Sequence, residues 1–510
     1  MKLVSLKIKN FRGYKEETFI YFDNLTTFVG KNDIGKSTVL EALDIFFNEG
    51  KGVIKMDKDD TNKQAAVEGD VTTIISVCFE ELPTSVVIDT ANETTLQDEY
   101  LLNGDSRLEI IKKYNNGGKE KVFIKANHPT NEICKDLLLK KDRELRAIIE
   151  QNNIVCNDKS INAVMRSSIW SHYSTDLQLE DIELDVTKGD TKSIWTKVQN
   201  YLPLFVLFQS DRKNSDSDSE VQDPLKKAVE FILNDPELAD KLNDVAQVVE
   251  ARLQDVSDKT LEKLQEMDPE VASSLNPVIP TADKLKWSDV FKNVSISGDD
   301  DIPINKRGSG VKRLILLNFF RAEAERRNSE SESGSIIYAI EEPETSQHTT
   351  NQRLLVDSFI ELASLPNTQI IMTTHSASIV KALDYAHIRL ITFDNGTKSV
   401  ATVLQGQLPY PSLNEVNFQA FSEVTEEYHN ELYGYLEAEG HLVNYRNGKP
   451  LMNYTKILRG GNTKVEQIIL TDYIRHQIHH PENTNNQRYT LLELNQSIGY
   501  MRDFIQNLIV

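Results

Sequence analysis

The chain has 510 residues, 39% of them hydrophobic and 26% charged, and its formal net charge is −21. These values describe an ordinary folded protein with room for several domains. The negative charge argues against a surface that binds nucleic acid indiscriminately, because phosphate backbones would be repelled. Its 3 cysteines are too few for a disulfide framework, and we find neither a secretory signal nor an apolar run long enough to span a membrane. We therefore expect a cytoplasmic protein with no membrane contact.

The first part of the chain reads as an α/β unit. An apolar run, Leu25 to Val29, leads into a glycine-rich loop and then into a predicted helix from Ser37 to about Phe47. A strand, a glycine loop and a helix in this order are typical of nucleotide-binding units. Similar patterns return after residue 300, with a predicted helix at 310–327, a strand at 335–340, a helix at 351–363 and a strand at 368–374.

The remaining segments have a different character. Residues 133–154 and 224–264 have helical spacing with many charges, and residues 423–440, 464–480 and 491–509 read as three further helices. The last helix is the clearest, with one apolar stripe formed by Leu491, Leu494, Ile498, Met501, Ile505 and Leu508. We predict an α/β fold in which residues 1–80 and 300–400 are two halves of one domain. A partly helical insertion occupies residues 81–299, and a small all-α domain occupies residues 401–510.

The segment GKNDIGKS, Gly30 to Ser37, fits the P-loop pattern. Gly30 and Gly35 allow backbone N–H groups to turn inward around phosphate oxygens. Lys36 would supply a positive charge to the β and γ phosphates, and the Ser37 hydroxyl could ligate Mg²⁺. Because a predicted strand precedes the loop and a predicted helix follows it, the motif has the context that nucleotide binding requires.

Two predicted strands end in residues suited to phosphate chemistry. IIYAIEE ends in Glu341 and Glu342, and QIIMTTHS reaches His375. Glu341 suits the orientation of Mg²⁺, and Glu342 suits the removal of a proton from attacking water. His375 could hydrogen-bond a γ-phosphate, although a lone histidine is more often structural, and paired acids at a strand end can simply be solvated.

A third motif is RGSGVKR, residues 307–313. Its Gly-Ser-Gly sequence, with Ser309 and Gly310, directly precedes a predicted helix, so backbone N–H groups and the helix dipole are offered to an anion. Gly-Ser-Gly is also a common linker. Its place shortly before the paired acids makes it informative.

Five motifs in this chain resemble those of the ABC-type heads of SMC, RecF and overcoming-lysogenization-defect (OLD) ATPases. In chain order they are NFRGY, GKNDIGKS, RGSGVKR, IEEPE and TTHS. The resemblance covers residues 1–80 and 300–400, and the IEEPE and RGSG spellings favour the OLD-like group. It implies binding of ATP and Mg²⁺ and a homodimer of heads, in which Ser309 and Gly310 of one chain close over the nucleotide at Lys36 of the other. It also implies nucleotide contacts for Arg12, Asn32 and Thr38 and a metal contact for Gln209.

The sequence departs from this family in two places. Glu341 stands where many ABC proteins have aspartate, as OLD-like members often do. OLD-like proteins often carry a C-terminal TOPRIM nuclease that depends on metal, and we find no strand pattern for one after residue 380.

The C-terminal segment DYIRHQIHHPEN offers a different motif. Arg475, His476 and His480 match the pattern of HEPN ribonucleases, which are all-helical and usually dimeric. His480 could move a proton at a ribose 2′-hydroxyl while Arg475 holds the phosphate. The alternatives are a polar helix end stopped by Pro481 and a metal site that uses the one-turn spacing of His476 and His480.

These motifs leave three functional hypotheses open. In the first, the heads gate a ribonuclease in the same chain, in anti-phage defence as the resemblance implies. In the second, the C-terminal helices dock a partner effector or toxin protein. In the third, the chain is a RecF- or SMC-type repair ATPase that binds DNA. RNA or DNA is therefore a candidate partner.

Overall fold

A computed structural model describes residues 1–48, 53–87, 93–186, 191–209, 233, 236–267, 334–345, 349–394, 397–403, 408, 412–458 and 461–509. The chain divides into two compact units, one made of residues 1–210 and 332–510 and the other of residues 211–331. The motif that contains Ser309 and Gly310 and the predicted helix at 310–327 lie outside the described residues.

A six-stranded sheet carries the predicted nucleotide motifs. Its order is β10 (Leu204–Phe208), β11 (Ile336–Glu341), β12 (Thr368–Thr373), β3 (Leu25–Val29), β13 (Ile388–Asp394) and β14 (Thr397–Thr402). The strands pair in parallel except β13 with β14. Every residue of β3, β11 and β12 is buried. Burial on both faces explains why these strands read as continuous apolar runs.

A second six-stranded sheet is antiparallel throughout. Its order is β2 (Thr18–Tyr21), β1 (Lys2–Lys9), β4 (Thr72–Glu80), β7 (Leu108–Asn115), β8 (Glu120–Pro129) and β9 (Leu179–Asp185), and a short pair is formed by β5 (Val86–Val87) and β6 (Glu93–Thr94). Three of its strands, together with β10 of the other sheet, come from the segment predicted as a partly helical insertion. Buried and less buried residues alternate along β8, which is a strand period that the helical interpretation overlooked.

Helices α1 (Lys36–Asn48) and α7 (Thr349–Ala363) pack on the parallel sheet. The same unit also contains α2 (Lys63–Val67), α3 (Asp142–Gln151), α4 (Asn162–His172), α5 (Thr191–Gln199) and α8 (Ala377–Val380), whereas α6 (Pro236–Met267) belongs to the second unit. α1 packs against β10, β11 and β12, and α7 packs against β12 and β3. One apolar core, which includes Leu6, Phe28, Val39 and Ile371, joins the two sheets and α1. The α/β head is therefore confirmed, with the predicted P-loop helix in place.

The C-terminal region is mainly helical, as predicted, with one strand pair added. It contains α9 (Leu413–Phe421), α10 (Glu426–Ala438), α11 (Leu442–Arg446), β15 (Leu451–Ile457), β16 (Thr463–Ile469), α12 (Leu470–His479) and α13 (Leu491–Ile509). The helix predicted from residue 464 begins at Leu470, because residues 463–469 pair antiparallel with residues 451–457. This stretch includes β-branched Thr463, Val465 and Ile468, which favour a strand.

The middle of the predicted α13 stripe forms the C-terminal core. Leu494, Ile498, Met501 and Ile505 are buried against α10 and α12 residues such as Leu432 and Ile474. The two end positions of the stripe, Leu491 and Leu508, are exposed by 68% and 43%. Across the described ranges, no helix combines the length and apolar character that a membrane span needs.

Candidate functional site

The parallel sheet brings four predicted site segments to one edge. β10, β11, β12 and β3 are neighbours and point the same way. Their carboxyl ends lead to Gln209, Glu341, His375 and Gly30, respectively. The crevice at the carboxyl ends of parallel strands is where open α/β sheets bind ligands. Residues far apart in the sequence therefore line a common site.

The P-loop between β3 and α1 is shaped by two glycines with positive φ. Gly30 has a φ of +150° and Gly35 a φ of +108°. A Cβ atom at Gly30 would come within 2.8 Å of the Ile391 carbonyl oxygen in β13. The Tyr14 hydroxyl donates a hydrogen bond to the Gly35 carbonyl at 3.1 Å, which fixes the far side of the loop. Both glycines are thus required by backbone conformation and by close packing.

Lys36 is folded into its own loop. Its side chain is buried, and its Nζ donates to the Gly30 and Lys31 carbonyls at 2.8 and 2.9 Å. The same ammonium lies 3.3 Å from Nδ1 of His375. The loop therefore places the lysine charge among backbone carbonyl groups at the head of α1.

Ser37 and Glu341 meet directly. The Ser37 hydroxyl donates to Oε1 of Glu341, whose side chain is buried at the end of β11. A hydroxyl and a carboxylate oxygen side by side are donors that suit a hard cation such as Mg²⁺. Within the described ranges, no cluster of three or more His, Cys, Asp and Glu side chains could hold a metal alone. A cation at Ser37 and Glu341 would have to complete its shell with phosphate oxygens and water.

Glu342 and His375 are in hydrogen-bond contact beside the P-loop. His375 Nε2 lies 2.8 Å from Glu342 Oε1, and both side chains are partly exposed. Because an ammonium can only donate, the Lys36 contact assigns Nδ1 as the acceptor and puts the hydrogen on Nε2, facing Glu342. Glu342 has a φ of +43°, a strained conformation for a residue with a side chain. Its N–H donates to the Thr373 carbonyl at 3.1 Å, which holds it in place.

Glu344 is a site residue that the sequence interpretation left without a role. Its Oε1 accepts hydrogen bonds from the Thr374 hydroxyl at 2.8 Å and from the His375 N–H at 2.7 Å. Burial raises the pKa of this carboxyl group above its usual range. Glu344 therefore positions the backbone of His375. The IEEPE motif could have indicated this role, because its last acid directly follows a proline turn.

Arg12 is held by two carboxylates that were also missed. Its Nε donates to Asp60 at 2.7 Å, and its Nη1 donates to Glu41 of α1. Gln209 also contacts the Glu41 carboxylate, because its Nε2 donates to Glu41 Oε1 at 3.4 Å. The structure thus groups Arg12 and Gln209 around the carboxylate of Glu41.

Two further predicted nucleotide contacts lie on the P-loop side of the site. Asn32 is exposed on the loop, and Thr38 is half-buried in the first turn of α1. Both are accessible to a ligand.

The C-terminal candidates divide between two surfaces of α12. Arg475 faces α10, with its guanidinium over the Tyr433 ring at 4.1 Å and Nη1 at 3.3 Å from Asn430. His476 instead stacks on Tyr454 of β15 at a ring-centroid distance of 5.0 Å. His480 stacks near His476 at 6.5 Å and contacts Glu482 at 3.2 Å. The structure therefore brings the two histidines together and gives Arg475 a separate set of partners.

Several known proteins are similar in sequence to this chain. The family model for the AAA ATPase domain matches residues 1–380. The chain is 29% identical over 146 residues to the Old nuclease of Escherichia phage P2, covering 28% of this chain and 25% of that protein. It is 21% identical over 408 residues to endonuclease GajA of Bacillus cereus (strain VD045), covering 79% of this chain and 60% of that protein. The chain thus spans a quarter of the length of the Old nuclease and three fifths of the length of GajA.

The solved structures that are similar to this chain include an SMC head domain from Thermotoga maritima. Its sequence is 12% identical, its TM-score is 0.34, and the match covers 79% of this chain and 100% of that one. The family match covers well over half of the chain and includes the P-loop, the paired acids and His375. The chain therefore belongs to the AAA ATPase domain family.

Proposed function

We propose that two heads pair around two ATP molecules, hydrolyse them, and thereby gate an effector. The observation that carries this proposal is the convergence of Lys36, Ser37, Glu341, Glu342 and His375 at one sheet edge. In this arrangement Lys36 leaves the loop carbonyls and donates to the phosphate chain. Bound Mg²⁺, held by Ser37 and Glu341, would neutralise charge on the β and γ phosphates.

The hydrolytic step uses Glu342 as the base. Its carboxylate accepts a proton from a water molecule, whose oxygen attacks the γ-phosphorus as the bond to the bridging oxygen of ADP breaks. His375 donates to Glu342 through Nε2 and keeps that carboxylate aimed at the site. Ser309 and Gly310 of the second chain would complete the phosphate contacts through backbone N–H groups.

Mixed variants test the pairing. Lys36→Ala disables the P-loop, and Ser309→Arg disables the motif that would close over the partner's nucleotide. Each variant alone should be inactive, whereas a mixed dimer contains one site with both elements intact. We expect the mixture to regain ATP turnover. If the mixture stays as inactive as its components while the parent is active, the sites are not shared between chains.

We propose that the gated effector acts in anti-phage defence, as the resemblance to OLD-like proteins implies. Two curated relatives carry the names Old nuclease and endonuclease GajA. The different partners of Arg475 and His480 favour an effector supplied by a partner protein over a ribonuclease within the chain. Cleavage of tRNA that disappears in His480→Ala would reverse this preference. ATP turnover stimulated by DNA ends, without an effector, would instead support the repair ATPase.

A further inference from the structure

Lys398 brings an additional positive charge to the P-loop from a distant part of the sequence. It lies on the edge strand β14, half-buried and on the inward face with Val400. β14 also contacts β2 of the antiparallel sheet, where the Thr18 hydroxyl lies 3.5 Å from the Lys398 carbonyl. The strand therefore directs this side chain into the junction between the two sheets.

The ammonium of Lys398 lies where the NFRGY turn approaches the P-loop. It sits over the ring of Tyr14, 4.9 Å from the centroid. A Cβ atom built on Gly35 would be 2.8 Å from Lys398 Nζ, and one built on Gly13 would overlap it. Two glycines thus leave the space that this charge occupies. Tyr14 in turn bonds to the Gly35 carbonyl.

Two other cations at the site already have polar partners. Arg12 is paired with Asp60 and Glu41, and Lys36 donates to carbonyls of its own loop. In the part of the chain that the structure describes, the ammonium of Lys398 has the Tyr14 ring as its partner. Burial lowers the pKa of Lys398, and among these described residues no carboxylate opposes that shift.

A half-buried ammonium is costly unless an anion compensates it. Contact with the Tyr14 ring offsets part of that cost, because the ring face attracts cations. The remaining charge faces the loop that holds the phosphates in the proposed function. We propose that Lys398 is a second nucleotide lysine, which binds the phosphate chain of ATP from the side of Gly13 and Gly35. This inference rests on the proposed use of the P-loop.

The test compares ATP affinity in matched variants by calorimetry or with a fluorescent ATP analogue. Lys398→Met keeps the apolar stem on Tyr14 and removes the charge, and Lys398→Arg keeps a charge. Lys449→Met is the control, because Lys449 also lies over tyrosine rings, at 4.5 and 4.7 Å, but in the C-terminal region. We expect Lys398→Met to weaken ATP binding about tenfold, the usual scale for one charge-assisted contact. Lys398→Arg and Lys449→Met should bind nearly as the parent does.

A second measurement uses the parent chain and does not depend on the folding of any variant. Acetic anhydride labels accessible amines, and mass spectrometry reports each lysine. ATP should protect Lys398 and leave Lys449 unchanged, whereas adenosine should protect neither.

The outcomes separate the two proposals. If the parent binds ATP, Lys36→Ala abolishes binding, and Lys398→Met binds like the parent without protection of Lys398, then Lys398 has no nucleotide role. If the parent binds no ATP, or binds it independently of Lys36, the proposed function fails and this inference fails with it. ATP binding that is weakened about tenfold in Lys398→Met and parental in Lys398→Arg supports the inference, because a purely structural role does not require the charge.

Discussion

The carboxylate of Glu342 is connected to the ammonium of Lys36 through the ring of His375. One imidazole nitrogen lies 2.8 Å from Glu342 Oε1, and the other lies 3.3 Å from Lys36 Nζ. A phosphate that draws Lys36 away from the ring would alter the hydrogen bonding of the base on its other side. This gives the site a direct physical link between phosphate binding and the position of the base.

Glu342→Gln should slow hydrolysis and leave ATP binding intact. The amide preserves the size of the side chain but cannot take a proton from water, and loss of a general base typically costs about a hundredfold or more in turnover. Nucleotide should then hold the heads together, which size-exclusion chromatography with light scattering can measure. Glu437→Gln, at a glutamate whose side chain is 60% exposed, is the control. Parental turnover in Glu342→Gln would contradict the assignment of the base.

The strand ends could be predicted from the sequence, and their side-chain partners could not. Glu341 and His375 were found because a buried parallel strand reads as an apolar run with a polar residue after it. The partners of Arg12 are Asp60, which ends a short 3₁₀ turn at Lys58–Asp60, and Glu41 inside α1, where a carboxylate reads as an ordinary helix residue. Lys398 reaches the P-loop from β14, and no local pattern indicates such a contact. Long-range packing decides these positions.

Substitution of Glu344 should change the pH dependence of stability. Its pKa is raised by burial, so the folded state takes up a proton at a higher pH than the unfolded state, whose value is near 4.5. Wild-type stability should therefore rise as the pH falls through the raised pKa. Glu344→Gln lacks this titration, although its amide oxygen can still accept the bonds from Thr374 and His375.

Thermal melts of both proteins at several pH values test this expectation. The melting temperature of Glu344→Gln relative to the parent should be highest at pH 8 and should decline toward pH 5. A difference that does not vary with pH would show that Glu344 has an ordinary pKa.

Truncation along α13 should have effects that follow burial within the apolar stripe. Ile498 is fully buried, whereas Leu491 is 68% exposed on the same helix. Ile498→Ala should lower the free energy of unfolding by about 2–5 kcal/mol, through lost burial and the cavity left behind. Leu491→Ala should change it by no more than about 0.5 kcal/mol. Urea denaturation followed by tyrosine fluorescence measures both. Equal effects would mean that Leu491 is covered in solution, for example by a partner chain.

His429 should make the C-terminal region sensitive to acid. It is fully buried between α10 and α13, with Nε2 at 3.0 Å from the Ser497 hydroxyl. Burial, with a smaller contribution from Arg475, lowers the pKa of His429 to about 4 from its usual 6.5. The unfolded state therefore binds a proton first as the pH falls. The contribution of His429 to the free energy of unfolding is fully present above pH 6.5. It declines as the pH falls toward 4, by about 3 kcal/mol at most.

His429→Gln should flatten this decline, because the amide can keep a hydrogen bond to Ser497 and does not titrate. Its stability relative to the parent should improve steadily between pH 7 and pH 4.5 in urea denaturation. His480→Gln, at a histidine whose side chain is 58% exposed, should follow the parental curve. If His429→Gln lost stability with acid as steeply as the parent, the acid sensitivity would arise elsewhere, and His429 would be accessible to protons in the folded chain.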